Sequence, residues 1–231
     1  MESEPPFVFV LLDGYCTEAG CSPGWTNASG TVTLIKTRAK KVLVDCGNPW
    51  NGDDIVEALS KHSLGCDEIT DLVITHGHSD HCGNLSLFKC ATIYMGDDVA
   101  TRHAHYSTFL QVLSGRCSSF AYLRDDNSSF ADPSFAFLRY DNAPTVGELA
   151  FKIDENIEIW RTPGHTDHDL SVVVTGTDRG TIAISGDIFE EGFVDNWKVN
   201  SKYPEEQQKS RDRLVQVADW IVPGHGRMFK A

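Results

Sequence analysis

The stretch Leu72-Val73-Ile74-Thr75-His76-Gly77-His78-Ser79-Asp80-His81 decides how this chain is read. An apolar, partly β-branched run forms a short buried strand, and metal-ligand residue types begin where it ends. Alternate residues of extended backbone point the same way, so His76 and His78 can share one ion. Asp80 and His81 come after the chain turns and face a second ion beside the first. A polar loop that happens to contain histidines is the plain alternative. Three later segments argue against it: Thr162-Pro163-Gly164-His165, Ser185-Gly186-Asp187 and Pro223-Gly224-His225-Gly226. Each puts a ligand-type residue in a Gly-containing loop just past a strand. Glycine allows close backbone approach and leaves room for an ion, and loops at strand ends are where a rigid scaffold presents chemistry. The candidate ligands are therefore His76, His78, Asp80, His81, His165, Asp187 and His225. Imidazole and carboxylate donors suit zinc, and iron or manganese can occupy the same set. Cys82 is a weaker candidate, because better ligands surround it.

Outward from these loops, the pattern predicts strands at Phe7–Leu12, Thr31–Lys36, Lys41–Val44, Leu72–Thr75, Ala91–Met95, Asn156–Arg161, Ser171–Thr175, Gly180–Ser185 and Trp220–Val222. Helical periodicity marks Asp53–His62, with Ile55, Val56 and Leu59 on one face, and Glu205–Trp220, with Leu214, Val217 and Ala218 on one face. Strands in both halves, each half with a helix, imply two sheets face to face with helices outside. From about Gly96 to Gly147 the periodicity is weak. Thr101–Ser114 reads as a helix and Ser118–Pro144 as an irregular insertion of the kind that forms lids and binding loops. All 231 residues are expected to form one domain carrying this insertion at about 96–147.

The formal net charge is −13, which disfavours a general nucleic-acid or membrane-surface binder. No apolar run reaches the ~18 residues of a membrane helix, and residues 1–6 lack the basic start of a signal peptide. The expected location is cytoplasmic, and also nuclear. The seven cysteines contain no CxxC pair and fit reduced thiols. Of the remaining histidines, His62 is expected to be solvated, His103 and His105 to lie on the insertion surface, and His168 to line the pocket or lie outside it.

The order His76-x-His78-x-Asp80-His81, His165, Asp187, His225 resembles the metallo-β-lactamase superfamily across roughly residues 7–229. The blocks Val44–Trp50, Gly186–Glu190 and Ala218–Gly226 narrow the resemblance to a group associated with endoribonuclease cleavage of histone pre-messenger RNA at its 3′ end. The resemblance implies an αββα sandwich with the site at one edge. It implies two zinc ions, one on His76, His78 and His165, the other on Asp80, His81 and His225, with Asp187 bridging them. It places Asp45 behind the metals, either as an acceptor orienting a ligand histidine or as a simple turn residue. Such a site lowers the pKa of bound water from 15.7 to about 7. The resulting bridging hydroxide would be the nucleophile, and Asp80 would orient it. By resemblance the substrate is RNA, and hydrolysis of a small thioester or ester of the glyoxalase-II kind is the runner-up. A non-catalytic metal-handling role is a third reading. RNA would need local cations, for which Arg102, Arg116, Arg124, Arg139, Lys198, Lys202 and Arg227 are candidates. A homodimer is compatible with the family.

Overall fold

The computed structural model describes residues 4–18, 26–102, 105–108, 150–194 and 196–231. Strands β1 (Phe7–Leu12), β2 (Tyr15–Glu18), β3 (Thr26–Ser29), β4 (Val32–Lys36) and β5 (Lys41–Val44) lead into helix α1 (Gly52–Lys61). Then come β6 (Asp71–Ile74), the single-turn helix α2 (Ser79–Cys82), β7 (Thr92–Met95), β8 (Asp98–Thr101) and β9 (His105–Thr108). The rest comprises β10 (Ala150–Asp154), β11 (Ile157–Arg161), β12 (Leu170–Thr177), β13 (Gly180–Gly186), α3 (Pro204–Val217), β14 (Trp220–Pro223) and β15 (Phe229–Lys230).

Two mixed sheets result, ordered β1-β4-β5-β6-β7-β8-β9 and β10-β11-β12-β13-β14-β15, with β2 and β3 forming a separate hairpin. Strand alternation explains how they pack. Val42, Val44 and Val73 of the first sheet meet Val172, Val174, Ile182, Ile184 and Val222 of the second in a core between the sheets. The intervening Leu43, Leu72 and Ile74 turn outward beneath Ile55 and Leu59 of α1. On the far side Val173, Ala183 and Ile221 pack under Leu214 of α3. Both faces of the central strands are buried, so they read as continuous apolar runs. The architecture is the expected αββα sandwich. Among the described residues, no helix is long and apolar enough to cross a membrane.

Three expectations need correction. The helix placed over Thr101–Ser114 is not formed in its described part: β8 and β9 extend the first sheet there, pairing Thr101 with His105 and Asp98 with Thr108. Gly96, with φ 59°, supplies the tight β7–β8 turn that starts this extension. Ladder pairing at the sheet edge outweighs a weak helical periodicity. Residues 109–149, which hold the rest of the expected insertion, lie outside the described residues. Helix α3 also stops at Val217, three residues early, because Asp219 turns back to the sheet: its backbone N–H donates to the Thr181 carbonyl at 2.8 Å and its carboxylate accepts from the Thr181 N–H at 2.7 Å. Finally, the buried stripe of α3 is Gln207, Ser210, Arg211 and Leu214, while Val217 is exposed.

Candidate metal centre

Strands β5, β6, β11, β13 and β14 all end at one edge of the sandwich, and the loops that follow them carry the predicted residues. The parallel pairs β5–β6 and β13–β14 set this common direction. After β6, Thr75 donates from its N–H and its hydroxyl to the two oxygens of Asp45, at 2.7 and 2.8 Å. The chain then runs through His76 and His78 into α2, which presents Asp80 and His81. The β14 loop needs glycine at 224, since a Cβ there would run into the carboxylate of Asp187.

All seven candidate ligands converge. His76 Nε2 and His165 Nε2 lie 2.9 and 3.2 Å from His78 Nδ1. Asp187 Oδ2 lies 3.5 Å from His76 Nε2, 3.3 Å from His165 Nε2 and 3.3 Å from His225 Nε2. Its other oxygen is 3.3 Å from His81 Nε2. Asp80 Oδ2 is 3.6 Å from His225 Nε2 and 3.8 Å from His81 Nε2. The donors fall into two groups, His76, His78, His165 and Asp187 on one side and Asp80, His81 and His225 on the other, each spanning no more than 4.8 Å. Asp187 sits between them.

The outer nitrogens are held from behind. His81 Nδ1 is 2.7 Å from Asp45 Oδ2. His225 Nδ1 is 3.0 Å from the Ser29 carbonyl at the end of β3. In both rings this turns Nε2 toward the cluster. Asp45 holds this place with φ 59°, a left-handed conformation that aspartate tolerates better than most residues.

Charge is distributed to match. Burial would raise the Asp187 carboxyl, but His81 and His76, with hydrogen bonds from His225 and His81, hold it well below its ordinary range. Burial pushes His76 well below its usual value, and the other imidazoles reinforce this against Asp187. His81 goes the other way: burial disfavours its charge, but Asp187 and Asp45 outweigh burial. His225 is likewise raised, with burial overcome by Asp187.

The residues fit a metal. Imidazole nitrogens facing one another across about 3 Å need a proton or a cation between them. The buried Oδ1 of Asp187 makes no hydrogen bond, and neutral imidazole with carboxylate is a zinc-type donor set. Cys82 is not among these groups; its Sγ faces the Gly77 carbonyl at 3.7 Å. His168 lines the neighbouring cleft, 3.3 Å from Asp97 Oδ2. The ring of His62 rests on Phe9, centroids 4.4 Å apart. His103 lies outside the described residues, as do Arg116, Arg124 and Arg139.

Three supports escaped the sequence reading. Asp169 accepts from the N–H groups of Gly164 and Thr166, at 3.0 and 2.7 Å, and from the Thr166 hydroxyl at 2.6 Å, which fixes the His165 loop. A Thr-x-x-Asp turn just before the apolar run at Leu170 is its signal. Gln207 donates to the carbonyls of Asp187 and Ile188 at 3.0 and 3.2 Å. The β2–β3 hairpin delivers the Ser29 carbonyl; its polar, short strands give no sequence signal.

The metallo-beta-lactamase superfamily profile matches residues 25–225. Metallo-beta-lactamase domain-containing protein 1 of Xenopus laevis is 35% identical over 98% of this chain and 82% of its own length. The Homo sapiens protein of that name is 31% identical over 98% and 83%. Among solved structures, a Thermotoga maritima protein described as a metallo-beta-lactamase superposes with TM-score 0.62 at 20% identity, covering 99% of this chain and 100% of that one. An N-acyl homoserine lactone hydrolase, with its product at the catalytic metal centre, gives TM-score 0.59 at 16% identity over 97% and 94%. The chain therefore belongs to the metallo-beta-lactamase superfamily, and carries that hydrolase family's fold with a His/Asp cluster able to bind metal.

Proposed function

We propose that the chain is a binuclear, zinc-dependent hydrolase. The observation that carries this is the position of Asp187, within 3.5 Å of imidazole nitrogens from both donor groups. His76, His78 and His165 would hold one ion, Asp80, His81 and His225 the other, and Asp187 would be shared. Two such ions, when bound, acidify a water and polarise the oxygen of the bond under attack. The chain's own part is preorganisation. Asp45 and the Ser29 carbonyl keep the Nδ1 positions of His81 and His225 engaged, so both Nε2 lone pairs face inward. Asp80, half-buried at the mouth, offers a carboxylate oxygen to orient the attacking group and take its proton.

The substrate reading we favour is a small ester, thioester or lactone. The alternative, endonucleolytic cleavage of RNA, is supported by the blocks Val44–Trp50, Gly186–Glu190 and Ala218–Gly226. Local charge speaks against it: Lys202 is paired with Asp167, and the cleft beside the donor cluster is lined by Asp97, Asp98 and Asp167. The test is a matched panel of neutral esters, thioesters, lactams and structured RNA, assayed with zinc-loaded and chelator-stripped protein. Zinc-restored turnover of a carbonyl substrate is expected. Metal-dependent RNA cleavage at low salt, weakened steeply by added salt and by replacing Lys198, Lys202 and Arg227 together with alanine, would install the RNA reading. No zinc-dependent turnover of any class would remove the hydrolase reading.

A further inference from the structure

Beside the donor cluster, on the His76–Gly77 side, lies a cleft of about 660 Å³. Leu85, Ile93, Met95 and Ala100 form one wall, and the loop from Thr166 to His168 forms the other. The Met95 methyl comes close enough to Gly77 that a Cβ there would touch it at 3.5 Å, so the apolar wall abuts the backbone between two candidate ligands. The charged residues lining the cleft are Asp97, Asp98 and Asp167, all carboxylates. The neighbouring cations are engaged with them: Arg161 meets Asp97 at 2.6 Å, and Lys202 meets Asp167. A phosphate backbone laid here would face carboxylates and apolar carbon. An uncharged chain would lose water-exposed apolar surface and gain contacts.

We infer that this cleft is the subsite for an uncharged, apolar acyl chain of the substrate, seated between Met95 and His168 with its carbonyl end directed to the donor cluster. The assignment rests on the hydrolase reading for that orientation and goes beyond it in naming the substrate's other half. Size fits: clefts of roughly 300–1,000 Å³ take drug-sized ligands. Each methylene buried should improve binding about three- to fourfold.

The test separates the cleft from the chemistry. The chain has three methionines, so methyl-labelled protein gives few signals, with Met228, which packs against the inter-sheet core, as internal control. Hexanamide, neutral and non-hydrolysed under the assay, should shift the Met95 methyl saturably and leave Met228 in place. Ala100→Trp, which fills the cleft, should abolish the shift. Ala100→Leu, a smaller intrusion into the same space, serves this purpose if Ala100→Trp fails to fold. In parallel, kcat/KM of zinc-loaded protein on neutral esters should climb about three- to fourfold per methylene from acetyl toward hexanoyl, and Ala100→Trp should flatten the series. A Met95 signal unmoved by hexanamide, a shift that survives both variants, or a short oligonucleotide that moves Met95 as strongly would overturn the inference. A saturable, variant-sensitive shift without turnover of any ester would keep the cleft and defeat the hydrolase reading. Turnover with an unmoved Met95 and no chain-length dependence would do the reverse.

Discussion

Asp187 faces four imidazoles with two oxygens, and one of those oxygens is buried without a hydrogen bond. Asp45 faces one imidazole and has its second oxygen satisfied by the Thr75 N–H. Removing them should therefore differ. Asp187→Ala is expected to abolish metal retention and to cost on the order of 10³-fold or more in zinc-dependent turnover. Asp45→Ala should weaken zinc by about 10–100-fold and be largely rescued by excess metal. Elemental analysis before and after dialysis, with turnover alongside, checks both; an Asp187→Ala protein that keeps two ions and full rate would refute the sharing. Histidine charge gives an independent handle. Burial disfavours the charged form of His81, but Asp187 and Asp45 raise its pKa well above the ordinary value, and His225 is raised as well. The metal-free rings thus keep protons that an entering ion must displace. Zinc added to metal-free protein near neutral pH should release protons, and zinc affinity should fall as the solution is acidified. Indicator-dye titration in weak buffer reads this directly, and silent binding would argue that the ions sit elsewhere.

At the level of elements, α3 matters most. Helical periodicity shows that it exists, but not which way it faces. Its inward stripe is polar because it serves the site loops: Gln207 holds the Asp187 and Ile188 carbonyls, Arg211 the Ile188 carbonyl at 2.8 Å, and Ser210 the Pro163 carbonyl at 2.8 Å. A hydrophobicity pattern cannot register a face buried for its hydrogen bonds, so it points Val217 inward, whereas the structure has it outside. Two substitutions separate packing from site support. Leu214→Ala should lower stability by about 2–5 kcal/mol with metal content unchanged. Gly224→Ala, whose Cβ would displace the Asp187 carboxylate, should lose metal before it loses fold. Denaturant melts paired with elemental analysis decide; equal metal loss in both would mean that the site merely follows global stability. Other elements were legible for plain reasons. The central strands alternate between two buried faces, and every candidate ligand follows such a strand. The β2–β3 hairpin and the β8–β9 hairpin pair short, largely polar strands without apolar alternation, so local sequence gives little sign of them.

Across the whole molecule, a chain of net charge −13 gathers five histidines and two aspartates at one sandwich edge, where divalent ions would offset the acidic field. Metal should then contribute to folding, because only the folded chain assembles donors from four separate loops. At zinc about 1,000-fold above its dissociation constant, linkage gives about 4 kcal/mol of added stability. Chelation should lower the melting temperature by several degrees, more for wild type than for Asp187→Ala. The ligand set could be read in advance because its members are of distinctive type and sit at predictable strand ends. The supports behind it were less legible: Gln207 and Ser29 act through backbone carbonyls that carry no composition signature, and Asp169 is marked only by its Thr-x-x-Asp turn. The central claim is two ions sharing Asp187, and counting them tests it most directly. Chain-resolved zinc stoichiometry by native mass spectrometry should give two per wild-type chain, one for Asp80→Ala and none retained for Asp187→Ala. A wild-type chain that binds one zinc or none at saturating metal would contradict the account.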